Sequence, residues 1–222
     1  MALPTNFVDE MIEVGRLLYD RGLIAGTEGN ISVRLDEQRI LITPSGLPKG
    51  RLTADDLVVV DSEGRQLEGR KAASSELPMH LKVYKKRSEV NACVHSHAPY
   101  ATSFAVAGVE LTGNILPEVV LFVGSISLTD YAPPGTDAVG DSLEPFIGES
   151  TAFLLRNHGL LTIGRDLREA FYRHETVEQY ARIIHHARQL GNIDSIPPED
   201  VARLERIRRR MGPDPAGQQR DL

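Results

Sequence analysis

"EVNACVHSHAPYA", residues 89–101, is the stretch on which the reading of the fold turns. Its apolar run reads as a strand over "VNACVHSH", and that run carries His95 and His97 two residues apart. A strand places residues i and i+2 on one face, roughly 6.5–7 Å apart, so both imidazoles would point at one object. A metal ion fits that description, and so does a wet strand face holding no metal. Two histidines make at most half of a tetrahedral zinc site, so any remaining ligands must come from elsewhere in the chain.

Working outward, "SSELPMHLKVYKKR" (74–87) leads into this strand with helix-start signals: serine, then an acidic residue and an early Pro78. Further upstream, "NFVDEMIEVGRLLYDRGL" (6–23) has helical apolar spacing and a glycine to stop it. "GNISVRL", "RILITPSG" and "DLVVVDSEGRQLEG" read as short strands, the last with a hairpin turn at "SEGR". Downstream come a short helix, "APYATSFAVAG", a loop with "LPEVVLFVG" (116–124), the turn-rich "TDYAPPGTDAV" and the apolar strand "TAFLLRNHG" (151–159). "LREAFYRHETVEQYARIIHHARQLG" (167–191) is a long helix whose buried face carries Ala170, Phe171, Val177, Tyr180, Ala181 and Ile184. One basic helix and a Pro, Gly and Gln-rich frayed tail complete the chain, with "RIRRR" (206–210) read as a solvated helix face. Residues 1–192 are expected to form one catalytic domain and residues 193–222 a C-terminal helix with a flexible tail.

The 222 residues are 41% apolar and 25% charged, an ordinary balance for a globular chain with a sizeable core. A net charge of −6 argues against broad nucleic-acid or anionic-membrane binding. With acidic residues where a signal peptide would be basic, and no apolar run near ~18 residues, the chain reads as cytoplasmic. Cys93 is the only cysteine, so no internal disulfide forms; its place two residues before His95 allows a metal or redox role, but a small buried strand residue is the plainer reading.

Of the other histidines, His80, His174, His185 and His186 fall on expected helices. His158 differs, because it follows an apolar strand and precedes a glycine where the backbone can turn. With His95 and His97 it would complete the half-open arrangement of a catalytic zinc, leaving a fourth position for water or substrate; a strand-end histidine bonded to backbone is the alternative. Glu76 sits at a helix start where free N–H groups attract anions, although a first-turn glutamate is also ordinary capping. Ser74 and Ser75 share that ambiguity.

The set "GTEGNISVR", "ITPSG", "SSELPMH", "VHSHAPYA" and "RNHG", in this order, resembles the class II aldolase/adducin family, whose enzymes include fuculose 1-phosphate aldolase and ribulose 5-phosphate 4-epimerase. The resemblance covers about residues 7–190. It implies an α/β fold of three layers, α/β/α, around a mainly antiparallel (mixed) sheet, and a homotetramer with sites at subunit contacts. It makes His95, His97 and His158 the zinc ligands, with manganese or cobalt as substitutes, and Glu76 the acid/base that also occupies the metal when no substrate is bound. It places Asn30, Ser45, Gly46, Ser74 and Ser75 on the substrate phosphate. The implied reaction is aldol cleavage of a fuculose, 5-deoxyribulose or methylthioribulose 1-phosphate to dihydroxyacetone phosphate and an aldehyde. A 4-epimerase, a methylthioribulose 1-phosphate dehydratase and a non-catalytic adducin-like binding domain are the alternatives. One departure stands out: "LPEVVLFVG" has no tyrosine where fuculose 1-phosphate aldolase takes one from a neighbouring subunit, which makes Glu118 or Tyr131 the candidate second acid/base. No lysine is expected where it could form a Schiff base.

Overall fold

The strand expected over residues 90–97 is the middle of a single eight-stranded sheet in the computed structural model, which describes residues 5–112 and 114–211. The strands are β1 (Asn30–Arg34), β2 (Arg39–Ile42), β3 (Val58–Asp61), β4 (Gln66–Glu68), β5 (Ala92–Ser96), β6 (Ile126–Leu128), β7 (Ala152–Leu155) and β8 (Gly159–Gly164). Their order is β4-β3-β2-β1-β5-β8-β7-β6, and every neighbouring pair is antiparallel except the parallel β6–β7. Helices cover both faces, giving the expected three layers. On one side lie α1 (Thr5–Asp20), α3 (Pro99–Ala107) and α5 (Leu167–Leu190); on the other lie α2 (Leu77–Lys86) and α4 (Asp137–Ser142).

Burial on both faces explains why these strands read as unbroken apolar runs. Along β3, Val59 packs with Val94, Leu154 and Leu160 against the first layer, while Val58 and Val60 join Phe153, Leu161 and Ile163 against the second. Fully burying each such side chain contributes about 1.5–3 kcal/mol. Cys93 is one of these residues: it is fully buried, and burial pushes its thiol up to about 12, which matches the core reading.

Three elements differ from expectation. β6 and β8 were not anticipated; "GLLTIG" is buried at all six positions, so it carries no polar alternation to set it apart from the strand before it. "LPEVVLFVG" contains one wide π-type turn, Val119–Val123, held inward by buried Val119, Val120 and Val123. The C-terminal helix α6 (Pro198–Met211) docks on that turn: Arg208 Nη1 donates to Val120 O at 3.3 Å, Val201 is buried, and just ahead of the helix Ile196 N donates to Asn114 O at 2.8 Å. The basic run is exposed throughout, as expected of a solvated face, and one of its arginines also makes a docking contact. The expected tail over 212–222 lies outside the described residues. Among the described residues, no helix is long and apolar enough to cross a membrane.

Candidate active site

β5 stops at Ser96, so His97 lies one residue beyond the strand rather than on its face. The two rings still converge, with centroids 5.4 Å apart, because the chain turns there into α3. His158 comes from the turn between β7 and β8, where Asn157 adopts φ +56°, the one non-glycine residue with positive φ among the described residues. The three rings then form a triangle, His158 lying 4.8 Å from His95 and 5.2 Å from His97. One ligand atom from each of the three lies within 4.8 Å of the others.

The glycine after His158 has a different job from the expected one. A Cβ on Gly159 would stand 2.6 Å from Ser96 O, 2.9 Å from His97 Cδ2 and 3.1 Å from His95 Cε1, so a side chain there would displace the triad. Gly29, at φ +72°, serves similarly: a Cβ would come within 2.8 Å of His95 O, across the β1–β5 pair that aligns Asn30 with His95.

Hydrogen bonds orient two of the rings. His95 Nδ1 donates to Leu160 O at 3.0 Å, which leaves the Nε2 lone pair free. His97 Nδ1 lies 2.7 Å from Glu28 Oε2, a pairing that leaves its Nε2 free in turn. An imidazole held by carbonyl or carboxylate at one nitrogen is the usual arrangement behind a metal ligand. Burial, and then the His95 imidazole, push His97 below its ordinary range, favouring the neutral, ligating form.

Glu76 closes the site from the end of the segment preceding α2. Its carboxylate lies 3.1 Å from His95 Nε2 and 2.9 Å from His158 Nε2. Burial opposes its ionisation, but the His95 and His158 imidazoles outweigh burial and hold the carboxyl well below the usual range. These approaches are short but poorly aligned, and Glu76 Oε1, His95 Nε2 and His158 Nδ1 are left without hydrogen-bond partners. Glu76 Oε1 and His95 Nε2 buried without hydrogen bonds, beside three imidazoles that each offer a nitrogen within 4.8 Å of the others, fit the donor set of a divalent cation.

A cleft of about 550 Å³ opens from this cluster. Asn30, Ser45, Gly46, Ser74, Ser75, Glu76, His97 and His158 all line it, so five separated segments of the chain converge there. Backbone bonds bring two of them together: Ser45 N donates to Ala72 O at 3.0 Å and Ser74 N to Thr43 O at 3.2 Å. Asn30 faces inward as well, its Nδ2 donating to Glu76 Oε2 at 2.7 Å. Among the described residues, neither Glu118 nor Tyr131 lines this cleft; both are exposed, Tyr131 to 58%.

Sequence reasoning missed three residues here. Glu28 was part of the quoted "EGN" turn but had no role until its carboxylate was seen on His97. His80 passed as an ordinary helical histidine, yet it bonds to Asn30 Oδ1 at 2.6 Å. Lys49, which had no role in the sequence reading, lines the cleft, its amine donating to Thr27 O at 2.7 Å and Leu47 O at 2.9 Å.

Comparison with known proteins agrees with this geometry. Residues 9–185 match the family described as the class II aldolase and adducin N-terminal domain. The chain belongs to this family. It is 38% identical to an L-fuculose phosphate aldolase of Methanococcus maripaludis over 78% of this chain and 93% of that one. It is also 38% identical to a 3-oxo-tetronate 4-phosphate decarboxylase of Haemophilus influenzae, over 78% and 84%, and 33% identical to a 5-deoxy-D-ribulose 1-phosphate aldolase of Bacillus thuringiensis serovar kurstaki, over 88% and 92%. A solved L-fuculose 1-phosphate aldolase superposes with a TM-score of 0.86 at 31% identity, covering 92% of this chain and 97% of that one.

Proposed function

We propose that this chain is a zinc-dependent class II aldolase that cleaves a deoxyketose 1-phosphate, of the fuculose, 5-deoxyribulose or methylthioribulose type, to dihydroxyacetone phosphate and an aldehyde. The observation that carries the reading is the His95, His97 and His158 triangle with Glu76 across it, at one end of a cleft lined with small polar side chains and glycine turns. The three histidines and, without substrate, Glu76 would hold the cation; zinc suits a nitrogen-rich set, and manganese or cobalt are substitutes. Bound there, the metal supplies Lewis-acid polarisation of the ketone, worth several kcal/mol, in place of a Schiff base.

The protein's own groups do the rest. Asn30, Ser45, Gly46, Ser74 and Ser75 hold the phosphate, which fixes the reacting carbons against the metal end. Glu76, which would be free of the cation once substrate is bound, would relay a proton taken up from solvent to the carbon left by C–C cleavage, or would remove that proton as the carboxylate in the reverse direction. Glu118 or Tyr131 would serve the aldehyde oxygen from an adjacent chain of a homotetramer. Residues 1–192 form the catalytic domain in this reading, with 193–222 appended.

A coupled assay for dihydroxyacetone phosphate release from the three sugar phosphates, with and without chelator, tests it. Chelator-sensitive release supports the proposal, and no release from any of them refutes it. The 38% identity to a 3-oxo acid phosphate decarboxylase supports a second reading, in which CO₂ takes the place of the aldehyde. Carbon dioxide release from 3-oxo-tetronate 4-phosphate, without aldol cleavage, would favour it.

A further inference from the structure

The side chains assigned to the phosphate are all neutral, while Glu28 and Glu76 put two carboxylates on the same cleft. A phosphate dianion brought there meets like charge, and hydroxyl and backbone donors do not offset it. Among the described residues that line the cleft, Lys49 is the only lysine or arginine.

Its position is built rather than incidental. Lys49 is 2% exposed and starts a 3-10 turn, Lys49–Arg51, packed on α1. A Cβ on Gly15 of α1 would sit 2.5 Å from Lys49 O, so the helix approaches as closely as a glycine allows. The side chain then reaches into the space between the two glycine turns, bonding Thr27 O in one and Leu47 O in the other. An ammonium has three donors, and these bonds use two. Burial pulls the amine down to about 8 against the raising effects of Glu76 and Glu28, so its charge is poorly compensated without an anion.

We propose that Lys49 is the cationic anchor of the phosphate subsite, tying the 27–30 and 45–47 turns together and presenting its remaining donor and its charge to the substrate's phosphate. This rests on the reading of the cleft as a sugar-phosphate site. It differs from a purely structural tie, which any side chain able to bond two carbonyls would maintain.

The test is calorimetric titration of inorganic phosphate into the full-length metal-loaded protein and its Lys49→Gln variant, with metal content and circular dichroism measured in parallel. Glutamine keeps a donor for the carbonyls but no charge. Phosphate Kd should rise about 10- to 100-fold, the range for losing a charge-assisted hydrogen bond, with metal content unchanged. Should Lys49→Gln misfold, Lys49→Met, which makes no polar demand when buried, tests the anchor as a whole, charge and carbonyl bonds together, by the same titration. Folded variants whose Kd stays within twofold of wild type overturn the role of Lys49 while the sugar-phosphate reading stands. A wild-type protein that binds no phosphate overturns that reading and this inference with it.

Discussion

Replacing His80 with leucine should cripple the proposed activity from outside the cleft, because His80 is the middle link of a buried chain of hydrogen bonds that ends on Glu76. A carboxylate only accepts, so Asn30 must turn its Nδ2 to Glu76 and its Oδ1 to His80, at 2.7 and 2.6 Å. The amide oxygen only accepts, so His80 Nε2 carries the proton and Nδ1 a lone pair. Ser32 Oγ, 2.6 Å from Nδ1, must then donate to it and accept from Tyr84 OH, also at 2.6 Å. Asn30, His80, Ser32 and Tyr84 are each at most 5% exposed. His80→Leu strands two buried groups, Asn30 Oδ1 and the Ser32 hydroxyl, at about 1–3 kcal/mol each. At about 2–4 °C per kcal/mol for a chain of this size, a total of about 2–6 kcal/mol should lower Tm by roughly 4–24 °C. Tyr84→Phe leaves Ser32 still donating to His80 and should cost only about 1 kcal/mol. With Asn30 no longer fixed, the Glu76 carboxylate swings, and a misplacement of order 1 Å can cost ~100-fold in kcat. Thermal melts and the dihydroxyacetone phosphate assay read both effects. A His80→Leu variant within ~0.5 kcal/mol of wild type, the ordinary spread of neutral substitutions, and with unchanged kcat would refute the chain.

Glu76→Gln should retain metal and phosphate binding, by metal analysis and calorimetry, while losing about 100-fold or more in kcat, the contribution of a positioned acid/base. Gly159→Ala should lower metal affinity with little change in fold, because the added methyl meets the His95 and His97 rings; unchanged affinity would remove that steric account. Acid should destabilise the chelator-treated protein steeply. His80 and His174 are fully buried, and burial pulls both down to about 3. Below the unfolded value of about 6.5 the unfolded chain binds protons that the folded chain refuses, so stability is intact above pH ~6.5 and falls as pH drops towards 3. Each histidine adds about 1.4 kcal/mol per pH unit in that window, and denaturant titrations with no such slope between pH 5.5 and 4.5 would contradict it.

The three histidines were legible as a candidate cluster because each stands at or next to a strand end, where sequence pattern and geometry coincide. His95 is in β5, His97 just beyond it, and His158 follows the β7 run. What surrounds them was not legible. Glu28, Lys49 and His80 act through pairs 69, 22 to 27 and 50 residues apart in sequence, such as Lys49 with Thr27 and His80 with Asn30, and no local period encodes such pairs. The same holds for β8, whose strand character comes from burial on both faces rather than alternation. α6 was foreseen as a helix, but its docking on the 119–123 turn depends on Arg208 and Val120, 88 residues apart.

In the proposed reading, one end of the cleft is complete within a chain and the other is not. Glu76, the three histidines and the serine turns come together within one chain, while Glu118 and Tyr131 are exposed and do not line the same cleft. If the second acid crosses a subunit boundary, the two halves of each site belong to different copies and can be separated genetically. A Glu76→Gln homo-oligomer and a Tyr131→Phe homo-oligomer would each be crippled at every site. Mixed and allowed to exchange subunits, they should regain activity, because some sites then take Glu76 from one chain and Tyr131 from its neighbour. Random exchange in a closed ring gives intact pairs at about a quarter of the sites, so recovery should approach about 25% of wild type. The parallel mixture with Glu118→Gln distinguishes which of the two surface residues is the acid. Exchange demonstrated by native mass spectrometry with no recovery in either mixture would refute a donated acid. The aldehyde-side proton would then have to come from water or from a residue within the same chain.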